Sequence, residues 1–308
     1  MAELRAGTPE ETEFLAELVA AGLIIESGVP GVYGRGSVFE DVREAVDALI
    51  TRHGEGDGAE RLRFPPVLPK RNLEDTGYLN SFPHLGASVF GFEGSEGDAK
   101  SLAAAARAHE DWSGFQAQTE LVLTPAACYP VYPAIAKRGP LPEGGVTIDA
   151  GGAYVFRNEP SGDPARLQMF HQREMVRLGE PDAVADWREA WRDRAVSLLR
   201  AIGLDADFDV ASDPFFGRSG RMLAVSQREQ ALKFEILVPI ASPGPTAVAS
   251  FNYHQEHFAE VHGLECADGS VAHTACLGFG LERVTLALLH KHGLDPAGWG
   301  EAVRGELW

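Results

Sequence analysis

From residue 119 onward, β-type segments follow one another with a single helical interruption, and this order restricts the fold more than any other feature. The segments are TELVLTP, GGVTID, GAYVFRN, RLQMFHQREMVRL, LAVSQREQALKFEILVPI and TAVASFNYH. A Trp- and Arg-bearing helix at 186–203 interrupts them, and GFGLERVTLALLHKHG closes the run as a helix with Gly293 as its stop. Helices come first. Thr8-Pro9-Glu10-Glu11 offers an N-cap, Pro at the first helical position and Glu at the third. Phe14, Leu15, Leu18 and Val19 then recur at helical spacing, and this helix is expected to stop near Gly28. Ser37 with Glu40 makes a second capping box ahead of Val42, Val46, Leu49 and Ile50, with Gly54 as the stop. Residues 64–92 mix strand-like pieces with turns, and an Ala-rich helix covers about 99–110. Helices, then a run of strands, then a closing helix predict an α+β fold: a largely antiparallel sheet flanked by helices, not alternating βαβ units.

Charge narrows the partners. The 45 acidic and 27 basic residues leave a formal charge of −18, which repels polyanions and excludes a broad nucleic-acid-coating role. Three cysteines, Cys128, Cys266 and Cys276, are too few and too odd in number for a disulfide framework. The N-terminus is acidic where a signal peptide is basic, and the apolar stretches are short or broken by Pro and Gly. No membrane span and a reducing, cytoplasmic setting are the expectation.

Two segments carry chemistry. VFRNE places Arg157 and Glu159 two apart, on one side if the segment is a strand. The loop SGDPAR ends in Arg166, and LQMFHQREMV returns with Phe170, Gln172 and Glu174 on one face. An Arg fork suits a phosphate and a ring suits a base. Near the C-terminus, GFGLER sets Gly278 and Gly280 before a helix with Glu282 and Arg283 in its first turn. Arginine there opposes the helix dipole and points to an anion nearby. There is no GxGxxG and no P-loop, so a nucleotide must be held in another way.

The FRNE–loop–Arg166–Phe170 pattern resembles motif 2 of the class II aminoacyl-tRNA synthetases, and GFGLER resembles motif 3. FPPVLP with GYLNSFPH is similar to motif 1 and its sequel, the dimer interface of that family. Cys128, Glu174 and Cys276 look like the zinc site of the methanogen-type seryl-tRNA synthetases, a set that suits Zn2+ with an open position for the substrate's amino group. Cys266 matches no ligand position. Nothing long or basic precedes motif 1, so the chain most resembles the amino acid:[carrier protein] ligases, truncated relatives of that synthetase core.

The resemblance implies one class II synthetase-like catalytic domain over 1–308, with N-terminal helices in 1–60, motifs 1 to 3 in 64–292 and no tRNA-binding domain. It implies activation of a small amino acid with ATP, Gly or Ala before Ser, and transfer to the phosphopantetheine thiol of a small acidic carrier protein. In that scheme Arg157 holds the α-phosphate, Glu159 reads the adenine amino group, and Phe170 and Arg283 cover the two faces of the base. Arg166 holds the outer phosphates, Mg2+ is bound through Glu235, and Glu174 and Asn252 face the amino acid. A homodimer is implied, with Phe64, Val67 and Leu68 at its interface. The thiol nucleophile belongs to the carrier, so His84, His171 and His254 read as structural groups before bases. Arg218 and Arg221, in the loop-like FFGRSGRML with Arg228 beyond, are the first candidate docking patch; Arg188 and Arg192 are the second. A tRNA-charging enzyme and a non-catalytic paralogue are the alternatives. The second expects loss of the ATP-contacting residues, and Arg157, Glu159, Arg166 and Arg283 are all present.

Overall fold

A computed structural model describes residues 4–242 and 244–308. The chain opens with helix α1 (Pro9–Ala20), hairpin strands β1 (Ile24–Val29) and β2 (Val32–Arg35), and helix α2 (Ser37–Gly54). Short strands β3 (Glu60–Arg61) and β4 (Val67–Pro69), helices α3 (Lys70–Asp75) and α4 (Tyr78–Ser81), strand β5 (Ser88–Phe92), helix α5 (Glu96–Ala108) and strand β6 (Gln116–Leu123) follow. Helix α6 (Val131–Ala136) leads to the long strands β7 (Val146–Phe156) and β8 (Met169–Gly179). Then come helix α7 (Pro181–Ala201), strand β9 (Asp207–Val210), helix α8 (Gly217–Glu229), and strands β10 (Lys233–Pro239) and β11 (Pro245–Gln255). Helix α9 (His257–His262), strand β12 (His273–Gly280), and helices α10 (Leu281–His292) and α11 (Glu301–Leu307) complete the chain.

The main sheet has seven strands in the order β3-β7-β8-β12-β11-β10-β9. Every pairing but β3–β7 is antiparallel, as the run of strands predicts. A three-stranded sheet, β4-β6-β5, stands beside it. Both faces of the main sheet are covered. Met175 and Leu277 join α2, α7 and α10 in the larger core, with Trp191 fully buried. Val176 and Cys276, one residue along, belong to the opposite core with α6 and α9. Each such large apolar side chain contributes about 1.5–3 kcal/mol on burial.

Several expectations need correction. Helix α1 has its Thr8 capping box but ends at Ala20, because the β-branched residues beyond it pair as the β1–β2 hairpin. The Ser37 capping box does not form. Helix α2 begins one residue earlier in its cap, at Gly36, where a Cβ would lie 2.0 Å from the Gly22 carbonyl oxygen. Only glycine can bring the hairpin and the helix so close, and Glu40 pairs with Arg35 and Arg43 instead. GGVTID and GAYVFRN form one continuous strand, β7. LAVSQREQ is not strand and FFGRSGR is not loop: both contribute to α8. Leu68 is not surface. It is buried with Leu73, Tyr78, Leu85 and Val122, and Phe64 packs against the second core.

Candidate active site

The site is built where β8 and β12 run side by side. Alternation along β8 sets Phe170, Gln172 and Glu174 on one face, continuing as buried Val176 and Leu178. The other face carries His171 and Arg173. Arg173 is buried and pairs with Asp149 at 2.6 Å and Asp47 at 3.2 Å. His171 donates its backbone N–H to Glu282, and its Nδ1 lies 2.8 Å from Glu282 Oε1. Arg35 joins the same carboxylate at 2.8 Å. The buried Glu282 thereby ties the N-terminal hairpin and β8 to the first turn of α10. His171 is a structural link, not a base. Gly278 sits opposite Glu174 on β12, and a Cβ there would come within 2.7 Å of Gln172 Nε2.

Around this junction lies a cavity of about 920 Å³. Cys128, Arg157, Glu159, Arg166, Phe170, Glu174, Glu235, Asn252, Cys276 and Arg283 all line it. Arg157 and Glu159 are not on a strand, since β7 ends at Phe156. They follow it in a loop, which still turns both side chains into the cavity. The Arg157 guanidinium lies 5.6 Å from the Phe170 ring centroid. Arg283 reaches across to the Ala165 and Ala247 carbonyls at 2.7 and 2.8 Å. Burial, with Arg166 and Arg157 nearby, pulls its pKa down to about 10. That leaves it charged at neutral pH. Three arginines gathered this closely, with Glu159 and Asp163 the nearby acids, make an arrangement whose charge and geometry suit a polyanion.

At the far end Cys128, Glu174 and Cys276 bring ligand atoms within 4.8 Å of one another, all buried. Glu174 Oε2 has no hydrogen-bond partner among the described residues. Burial raises the Glu174 carboxyl. The Cys276 thiol is raised well above its ordinary value by its contact with Cys128, by burial and by the Glu174 charge. Contact with Cys276 pulls the Cys128 thiol down, but burial and Glu174 outweigh it. Three acids that cannot all ionise together, one with an orphaned oxygen, fit a divalent cation with sulfur and oxygen affinity. Cys266 is buried apart from them.

A row across the sheet continues from this cluster. Cys276 pairs with Asn252, and Asn252 with Lys233. Lys233 is buried and lies 2.7 Å from Asp213 and 2.9 Å from Glu235. Glu235 is therefore in the cavity but held by a lysine. Sequence reasoning missed Lys233, although a Lys and a Glu alternating in the apolar LKFEILV was a visible signal. It also missed Asp213, Gln227 and Arg5, all lining the same cavity and marked by no pattern. His254 is half-buried, and desolvation lowers its pKa to about 3. The His84 ring lies 5.4 Å from that of Phe216.

The two docking candidates separate. Arg218 and Arg221 are exposed on α8 beside Phe216, Met222 and Val225, also exposed. Arg188 and Arg192 are no patch. Arg188 is buried against Phe234 and Tyr253, and Arg192 pairs with Glu189 and Asp193. Among the described residues no helix is long and apolar enough to cross a membrane.

No protein-family model matches the chain. It is 48% identical over 290 residues to "Amino acid--[acyl-carrier-protein] ligase 1" of Bradyrhizobium diazoefficiens, covering 94% of this chain and 88% of that protein. Ligase 2 of the same organism is 47% identical over 97% of this chain and 89% of its own length. Among solved structures, the M. kandleri SerRS in complex with A. aeolicus tRNASec superposes with a TM-score of 0.80 at 22% identity, over 96% of this chain and 60% of that one. That likeness shows the fold, a class II synthetase catalytic core.

Proposed function

Because the chain belongs to the amino acid–[acyl-carrier-protein] ligases, we propose that it activates a small amino acid, Gly or Ala, with ATP and loads it onto the phosphopantetheine thiol of an acidic carrier protein. The observation that carries this is the single cavity that gathers three arginines at one end and a metal-type cluster at the other. In the first step the amino acid's carboxylate oxygen attacks the α-phosphorus, the bond to the bridging oxygen breaks, and pyrophosphate leaves. Arg157 holds the α-phosphate as its charge redistributes, and Arg166 holds the outer phosphates. Phe170 and Arg283 enclose the adenine while Glu159 accepts from its amino group. Positioning and charge neutralisation supply the acceleration. In the second step the carrier's thiol attacks the adenylate carbonyl and AMP departs.

Cys128, Glu174 and Cys276 would hold a zinc ion, which would supply a Lewis-acid contact for the substrate's amino group. Asn252, whose Nδ2 lies 3.8 Å from Cys276 Sγ, faces the same substrate. Glu235, paired with Lys233 at 2.9 Å, would hold Mg2+, which would neutralise phosphate charge. The carrier docks on α8 through Arg218 and Arg221. The inner face of this helix, Leu223, Ser226 and Gln227, already walls the cavity. No tRNA is used, in keeping with the −18 charge. ATP–pyrophosphate exchange across an amino-acid panel tests the first step, with Gly or Ala expected to give the highest rate. Absence of exchange with every amino acid would overturn the proposal. Charging of total tRNA in place of a carrier would move the second step to the tRNA-charging alternative.

A further inference from the structure

Two groups flank the metal-type cluster and have no part in the reaction above. His254 lies on β11 with its Nε2 3.6 Å from Cys276 Sγ and its Nδ1 3.2 Å from Thr274 Oγ1. Its ring meets Tyr132 and Phe258 edge-on, at 6.1 and 4.9 Å, so it has little freedom to turn. Nε2 is not one of the ligand atoms that fall within 4.8 Å of one another. It is therefore within reach of one sulfur and is not a fourth member of the ligand set. A thiolate has no proton to give, so its contact with the imidazole is favourable only when Nε2 carries the hydrogen. The Thr274 hydroxyl then donates to Nδ1. On the other side, the Tyr132 hydroxyl is fully buried and has no partner among the described residues. Tyr132 packs in the same buried core as Cys128.

We propose that His254 and Tyr132 are hydrogen-bond donors to the two thiolates, His254 to Cys276 and Tyr132 to Cys128, and that they set how tightly Cys128, Glu174 and Cys276 hold zinc. The inference rests on the zinc reading above. Three anionic ligands on one dication crowd negative charge. An N–H and an O–H aimed at the sulfurs draw some of it off and fix the direction of each lone pair. Neither residue touches the reacting atoms, so both are positioning residues.

The test is metal binding alone, on the full chain, with Zn2+ competed against a chromophoric chelator and Co2+ as a spectroscopic probe. His254→Phe and Tyr132→Phe should each weaken zinc by about 10–100-fold. Each should also move the sulfur-to-cobalt charge-transfer band to lower energy, because the sulfur has lost a donor. Tyr132→Phe keeps the ring and removes only the hydroxyl, so it tests the idea even where His254→Phe disturbs packing. His254→Gln, which keeps an N–H near Nε2, should retain most of the affinity. Wild-type affinity and an unshifted band in both Phe variants overturn the inference. Equal loss in His254→Gln and His254→Phe overturns the donor role of His254 and leaves only packing. A wild-type protein that binds neither ion overturns the zinc reading itself and this inference with it.

Discussion

Single residues divide the labour of the cavity. In the proposed reaction Arg157 faces charge that moves during activation, so Arg157→Ala should cost about 3 kcal/mol, two orders of magnitude in exchange rate. A variant within a few-fold of wild type would remove it from the α-phosphate. The cluster makes a different prediction. Both thiols are held above their ordinary values, so at pH 7 the metal-free protein carries both protons. Zinc uptake should release about two protons per ion, measured with an indicator in weak buffer. Release of none would mean that the thiols are not ligands. Glu174 adds a stability signature. Its folded pKa is raised by burial, so between the unfolded value of about 4.3 and the folded one the native state holds the extra proton. Stability of the metal-free protein should thus fall as pH rises through that window, and Glu174→Gln should flatten the fall in denaturant titrations at several pH values.

Helix α8 is the element where sequence and structure part most clearly. Helices usually announce themselves by an apolar stripe. Here only Gly220 is buried, Met222, Leu223 and Val225 are exposed, and the cavity-facing side includes the polar Ser226 and Gln227. Leu223 and Val225 alternate as a strand would, which is why the segment reads as β. An exposed apolar and basic face fits a docking surface. Arg218→Glu/Arg221→Glu should therefore leave pyrophosphate exchange nearly unchanged while slowing carrier loading and flattening its salt dependence. Equal loss in both assays would place α8 in the ATP site. Strand β8 was legible for the opposite reason: it carries its chemistry in one unbroken alternating pattern. Strand β12 was not, because GFGLER reads as the opening of a helix, whereas Gly278 and Gly280 belong to the strand and the helix begins at Leu281. The cysteines, 148 residues apart, carry no local signal, and only the family resemblance joined them. Asp213 and Lys233 meet because β9 pairs with β10, a contact no spacing rule encodes.

At the scale of the whole molecule, the three-stranded sheet remains open. Phe90 and Phe92 on β5, Leu121 on β6 and the nearby Trp112 are exposed, and α5 beside them buries none of its residues. Leu68 and Phe64 are already used inside the chain, and this exposed apolar surface is the candidate for self-association. A homodimer is expected in equilibrium sedimentation, and Phe90→Lys/Phe92→Lys should shift it toward 33 kDa monomers; a wild-type monomer at micromolar concentration would contradict it. The order of the main sheet has a further consequence, during synthesis. Strand β8 is complete at residue 179, but its neighbour β12 ends only at residue 280. At about 5–20 residues per second the ribosome takes about 5–20 s to make the intervening chain. Throughout that interval one edge of β8, a strand whose residues are mostly buried in the folded protein, has no partner, and half of the cavity does not exist. The nascent protein is therefore most exposed to wrong pairing late in translation, and codons 180–280 are where a change in elongation speed should alter the yield of folded enzyme.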